Sequence, residues 1–424
     1  MEIINKDLGS FHLHLIPTDQ FKTITLKVIF HAPIEKDKIT KRNLLLDLLL
    51  QSSLNYKSRR ELTIQAEELY SVDIYTNNQR LGNYMVTSMN MQVLNDKFTE
   101  VGNMEKAICF FCELLFHPDV LNQTFSKKNF DLVSKNTKIA LESIKEEASN
   151  YAMIRMAEEF SSDSIFSYRM MGYLEDLEKI DEKEVYRSYL DMIQNDLVDI
   201  FVVGDFDVSN MISLIKKNFK FKMFKKEKGP YELDCIKIRR NPYFYKESSS
   251  NNQSRLVMAC PYKSLSSFEE NYVLPLFNII LGGGVDSKLF REVREKYSLC
   301  YSIHSMVKRL DHLFIITAGI DLENASKTIA LIKDIFGDCR KGKISEGELM
   351  TAKEYYTSSL EEICEVEERF ITEVFFEEVL KIPKIDVRRE EILKVTRQDL
   401  IKLSKKIKID TIYLLEGGNI LEKD

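Results

Sequence analysis

Apolar and polar positions change their rhythm several times along the chain, and each change marks an element. Residues 23–30, Thr-Ile-Thr-Leu-Lys-Val-Ile-Phe, are rich in β-branched and apolar side chains and predict a strand. Beyond the turn near Pro33, an apolar helix is expected through Leu50, with Asn43 as its cap. Leu62, Ala66 and Leu69 form one stripe and predict a helix over 59–69. Residues 85–93 alternate as a strand does. Helices are expected over 104–116, 129–147, up to about 159, and over 182–193. Residues 198–205 read as a buried strand that ends at Gly204.

A polar, Lys-rich stretch at 216–230 reads as a linker. The same plan then recurs. A strand is predicted at 254–259, helices at 268–281 and 286–296, and strands at 299–307 and 313–320. Long helices follow at 325–336 and 346–365, then a helix at 399–405 and a last apolar strand from Thr411. Strand, helix pair, strands, long helices and closing strand occur twice, which predicts an internal duplication of α+β halves, residues 1–220 and 221–424. Two similar halves commonly pack as a clamshell around a cleft. Element order alone leaves two unrelated α+β domains open.

Composition narrows the function classes. A chain of 424 residues with 44% hydrophobic positions exceeds one ordinary core and is not compositionally disordered. Its 60 Lys and Arg face 66 Asp and Glu, a net charge of −6, which argues against an overall nucleic-acid footprint and leaves a local basic patch open. The first residues lack the blocks of a leader, and no apolar run is long enough to span a bilayer, so a soluble cytoplasmic protein is expected. Seven scattered cysteines do not form a disulfide framework, and the pair Cys109 and Cys112 falls in an apolar helical pattern, as core thiols would. Gly282-Gly283-Gly284 lacks the remainder of a phosphate loop and is expected to stop a helix, with Asp286 capping the next. The six histidines form no zinc motif, and no serine lies in GxSxG. His12, His14 and His304 read as ordinary sheet or surface histidines.

One segment is more specific. Residues 281–302, Leu-Gly-Gly-Gly-Val-Asp-Ser-Lys-Leu-Phe-Arg-Glu-Val-Arg-Glu-Lys-Tyr-Ser-Leu-Cys-Tyr-Ser, resemble a signature of the insulinase (pitrilysin) family of zinc metallopeptidases. The resemblance implies paired α+β halves, α/β-sandwich-like with mainly antiparallel sheets, that form half of a peptidase clamshell. In active members a helix of the first half bears His-x-x-Glu-His, whose histidines and a distant Glu bind zinc while the motif Glu activates water. Here the corresponding helix carries Leu44-Leu45-Leu46-Asp47-Leu48. Leu44 and Leu48 stand at the ligand positions, Asp47 at the general-base position, and Ser143 at the best match for the distant ligand. Leucine offers a metal no lone pair, so no zinc or other cofactor is expected in this chain.

The second half keeps what the first has lost. The resemblance assigns Arg294 and Tyr301, seven residues apart, to an Arg and Tyr that reach across the clamshell. The Arg would bind substrate carbonyls, and the Tyr hydroxyl would donate to the oxygen where charge develops. An ordinary solvated helix face and a strand residue would account for the same two side chains. Taken together, the resemblance implies a zinc-free subunit of a heterodimeric peptidase, similar to the bacterial type associated with modification of elongation factor P. A zinc-bearing paralogue, or a second copy in a homodimer, would be the partner. The substrate would be a peptide or unfolded protein, with neither nucleic acid nor membrane involved. A scaffold or peptide-binding protein of the same fold, without a role in proteolysis, is the alternative.

Overall fold

The structure is a computed structural model and describes residues 3–222, 231, 238–263 and 265–418. Within the expected linker, Lys216 and Lys217 belong to a helix, Val208–Asn218, and residues 223–230 lie outside the described residues. The chain divides into two compact units. The first comprises Met1–Glu142, Arg169–Tyr231 and Val366–Thr372; the second comprises Ser143–Tyr168, Glu232–Glu365 and Glu373–Asp424.

The strands of the first unit are β1 (Ile4–Asp7), β2 (His12–Pro17), β3 (Thr23–Pro33), β4 (Asp73–Leu81), β5 (Tyr84–Leu94), the short hairpin β6 (Val120–Leu121) and β7 (Thr124–Phe125), and β8 (Leu197–Gly204). Apart from the hairpin they form one sheet in the order β1-β2-β8-β3-β5-β4. Only the β2–β8 pairing is parallel among the described residues. Gly204 closes β8 at φ +142°, and a Cβ there would meet the Thr23 carbonyl at 2.9 Å.

In the second unit β9 (Tyr243–Ser248), β10 (Ser254–Pro261), β11 (Ser302–Lys308), β12 (Leu313–Ile320) and β13 (Thr411–Glu416) form a sheet in the order β11-β12-β10-β13-β9. Here β13 and β9 are parallel and every other described pairing is antiparallel. Placing β9 on β2, β10 on β3, β11 on β4, β12 on β5 and β13 on β8 reproduces both strand order and strand direction. The expected duplication of α+β halves is therefore a property of the wiring, with β1 as an addition to the first copy.

Both sheets bury both faces, as the nearly continuous apolar runs of β8, β10 and β12 require. In the second unit Leu256, Met258, Phe314, Ile316 and Leu414 join the core beneath that unit's own helices. Their strand neighbours Val257, Ala259, Ile315 and Tyr413 face the other way and pack on Tyr151, Ala152, Met156 and Phe160 of the helix Ala148–Phe160. The first unit receives the reciprocal element. Ile24, Leu26, Val28 and Phe30 of β3 face its helical core, while the opposite face binds the start of the helix Glu367–Glu378. There the hydroxyls of Thr23 and Thr25 and the amide of Gln92 donate to the Glu367 carboxylate at 2.7, 2.6 and 2.6 Å. Each unit thus contains a segment from the opposite half of the sequence.

Several elements depart from the hydrophobic pattern. The first helix spans Lys36–Leu49, so Asn43 lies inside it, donating to the Met170 carbonyl and accepting from Asn78 instead of capping. The stretch 129–147 divides into the helix Lys127–Glu142 and a 3₁₀ turn, Ser143–Glu146. β1, β4 and β9 and the helices Glu367–Glu378 and Ile385–Ile392 lie in stretches that the pattern does not assign. β4 and β9 have mostly polar or half-exposed positions, and edge strands of that kind lose clean alternation.

Two predictions follow from this packing. Glu367→Ala leaves three donors without their shared acceptor and should cost about 2–4 kcal/mol, read by calorimetry as a lower unfolding temperature of the first unit. Glu373, in the second unit, is buried beside the Arg388 guanidinium and Glu377. Burial pushes its pKa up to about 7, with Arg388 opposing and Glu377 adding to the rise. Between those values the folded chain holds a proton that the unfolded chain has released, so the stability contributed by this group should be fully present below about pH 4.5 and lost as pH rises through about 7. Above that the curve should level, and Glu373→Gln should remove this part of the slope in denaturant titrations.

Candidate functional site

The helix Lys36–Leu49 is the place where a metal would be held, and its sequence makes it a core element. Leu44 and Leu48 are 0% and 2% exposed. They belong to the same apolar cluster as Phe130 and Val133 of the helix Lys127–Glu142, which packs against it. Asp47 lies between them on the outward side and is exposed, while the surrounding chain desolvates its carboxyl enough to raise its pKa. Ser143 opens the 3₁₀ turn in the other compact unit. Leu44, Asp47 and Leu48 thus share one helix, and Ser143 groups with another part of the chain.

Those residues do not fit zinc. The two side chains at the histidine positions are hydrocarbon sealed in a core, and the one carboxylate among them points away from it. Among the described residues no group of three His, Cys, Asp or Glu is arranged to hold a metal ion. The same helix buries one charge: Arg42 donates to Asp196 at 2.7 Å, with both side chains almost fully enclosed.

The signature segment folds into a tight corner. Residues Ile279–Gly283 form a wide helical turn of the i→i+5 type, and a second such turn spans Phe290–Lys296. Gly282 is needed for close approach, because a Cβ there would meet the Ser305 hydroxyl at 2.7 Å and Leu289 at 2.8 Å. The expected cap at Asp286 does not form. Its carboxylate accepts from Arg291 at 3.4 Å, and the helix begins after Ser287. Leu289 and Val293 anchor the helix in the core of the second unit, leaving the opposite side to solvent.

Arg294 is exposed on that side, its guanidinium 4.8 Å from the centre of the Phe290 ring. Its charge also reaches Cys300, where it opposes the rise that burial imposes on the thiol pKa. Tyr301 follows directly, just before β11, with its backbone N–H donated to the Gly319 carbonyl at 2.9 Å. Its ring is 61% exposed. Its hydroxyl donates to the Asp321 carboxylate at 3.2 Å, and the negative charge of Asp321 raises its pKa, keeping the proton in place. The local fold therefore exposes a cation at Arg294 and a protonated phenol at Tyr301.

Two side-chain groups escape motif reading. His14 and His31 are buried on either side of Asp199, their Nε2 atoms 3.0 and 2.9 Å from its two oxygens. Asn5 meets Nδ1 of His14 at 2.7 Å, and the Tyr231 hydroxyl meets Nδ1 of His31 at 2.9 Å. Only the pairing of β2, β8 and β3 brings these residues together; their sequence separations carry no signal. The second group is a basic cleft in the second unit. Of the CxxC pair, Cys112 is a core thiol, whereas Cys109 is exposed. Burial raises the pKa of both, which disfavours the thiolate.

Residues 179–356 match the family model described as the peptidase M16 inactive domain. The "Probable inactive metalloprotease YmfF" of Bacillus subtilis is 26% identical over 417 residues, covering 96% of each chain. A conserved protein from Enterococcus faecalis has a solved structure that is 26% identical with a TM-score of 0.91, over 100% of both chains. The peptidase M16 inactive domain from Pseudomonas fluorescens shares the fold at a TM-score of 0.80 and 16% identity, again over 100% of both. Together with duplicated wiring and a motif helix filled by leucine, these likenesses identify the chain as similar to the inactive homologues of the insulinase, or M16, peptidase family.

Proposed function

We propose that this chain is the zinc-free subunit of a heterodimeric insulinase-type peptidase, lending Arg294 and Tyr301 to an active site whose zinc and His-x-x-Glu-His belong to a paralogous partner. The observation that carries the reading is the asymmetry between the two halves. The motif helix has become hydrocarbon core, whereas Arg294 and Tyr301 remain exposed on a segment that keeps the family signature. An exposed guanidinium and a protonated phenol are suited to hold a peptide carbonyl and to donate to the oxyanion formed when water attacks it. Neither group performs hydrolysis by itself, so the isolated chain would bind an extended peptide without cleaving it.

A second reading has its own support. The Tyr301 hydroxyl already donates to Asp321, which suits a scaffold subunit in which that side chain is purely structural. One experiment separates the two. In a complex co-purified with a zinc-bearing paralogue, Arg294→Ala and Tyr301→Phe should each lower kcat/KM for peptide cleavage about tenfold or more without dissociating the subunits. Unchanged cleavage by the double variant would leave the scaffold reading.

A further prediction concerns the lost metal site. Restoring both imidazoles by Leu44→His with Leu48→His places polar rings in a packed apolar cluster. It should destabilise the chain by about 2–4 kcal/mol and yield no stoichiometric zinc on metal analysis. Recovery of stability on adding zinc would show that a third ligand is within reach.

A further inference from the structure

The second unit has a cleft of about 570 Å³ whose polar lining, among the described residues, is entirely cationic: Arg239, Arg240, Lys333, Arg340, Lys405 and Lys408. Pro242 and Ile409 complete it, and among the described residues no carboxylate is part of the lining. In a chain of net charge −6 this is a local reversal of sign. Like charges gathered in a concave site repel one another, so the arrangement stores an unfavourable interaction that an anion would relieve.

Two of the six are fixed by the fold. Arg239 donates to Asp410, at 2.6 Å, and to the carbonyls of Glu159 and Phe160, both at 3.1 Å. Asp410 is completely buried and spends its charge on that contact. Arg340 donates through Nε to the Ser404 carbonyl and through Nη2 to that of Ile407, at 3.2 and 2.8 Å. It thereby offsets the negative end of the helix Arg397–Lys406. Its Nη1 takes no part in those bonds and stays available as a donor pair. The remaining four, Arg240, Lys333, Lys405 and Lys408, are exposed and form no ion pair among the described residues. The cleft therefore combines two guanidinium groups held by hydrogen bonds with four exposed cations.

We infer that this cleft binds a short linear polyphosphate, either as the inorganic anion or as the phosphate chain of a nucleoside triphosphate. Several closely spaced negative charges match several converging donors, and the volume lies in the range of small-ligand pockets. A long polyanion such as nucleic acid would extend from the cleft over a surface that is acidic on balance, which disfavours it. The inference is independent of the proposed peptidase role, because none of the cleft residues belongs to the signature segment.

Calorimetric titration of the full chain with sodium tripolyphosphate, and separately with ATP, provides the test. Saturable binding of one anion per chain is expected near 50 mM salt, weakening as salt is raised through about 0.2 M. The combined variant Lys333→Glu, Lys405→Glu, Lys408→Glu should lose affinity at least about tenfold, whereas Lys402→Glu, exposed on the same helix but outside the lining, should retain it. Equal affinity for the two anions would identify the phosphate chain as the whole ligand, and clearly tighter ATP would add a contribution from the nucleoside. The inference is overturned if neither anion binds saturably, if the triple variant binds as well as the native chain, or if only an acidic peptide or single-stranded DNA binds.

Discussion

Burial of both faces of each sheet is the constraint from which the rest of the fold follows. A sheet with one apolar face needs one layer of helices; strands such as β10 and β12, apolar and buried at nearly every position, need two. Each half of the sequence supplies enough helix for only one of its own faces. The other is covered by the helix Ala148–Phe160 in one unit and by residues 366–372 in the other. The two covers use different chemistry. The first is hydrophobic, built on Tyr151, Met156 and Phe160, and the second turns on a buried carboxylate ringed by hydroxyl and amide donors.

The same economy of space explains the silent motif helix. In a core packed to near-crystalline density, an apolar side chain must fill the space it occupies. Leu44 and Leu48 do so, joining the cluster that ties the helix to its neighbour Lys127–Glu142. No such pressure acts on the signature corner of the second half, where Arg294 and Tyr301 face solvent and the packing is done by Leu289 and Val293. A motif helix filled by leucine and an exposed signature corner are thus both compatible with a stable fold.

Much of this was legible in the residues. The central strands β3, β5, β8, β10, β12 and β13 carry strong apolar runs, and the repeat of element order revealed the duplication that the strand wiring repeats. The edge strands β4 and β9 were not legible, because half-exposed positions blur alternation, and Asn43 does not cap because its side chain bonds to residues far along the chain. The corner around Gly282 to Tyr301 was readable as a motif, though its wide helical turns and the Asp321 partner were not. Neither the Asp199 network nor the basic cleft has a local spacing. Both gather residues from distant stretches, and a one-dimensional pattern has no means of registering them.

The exchange of covering segments also bears on how the chain is made. Synthesis proceeds from the amino end, and domains ordinarily fold as they emerge from the ribosome. Here the earlier unit must wait for residues 366–372, which follow the rest of that unit by more than a hundred residues, before its second sheet face is closed. Until then a nascent chain exposes the donors of Thr23, Thr25 and Gln92 without their acceptor, so the two copies reach their final state together rather than in sequence.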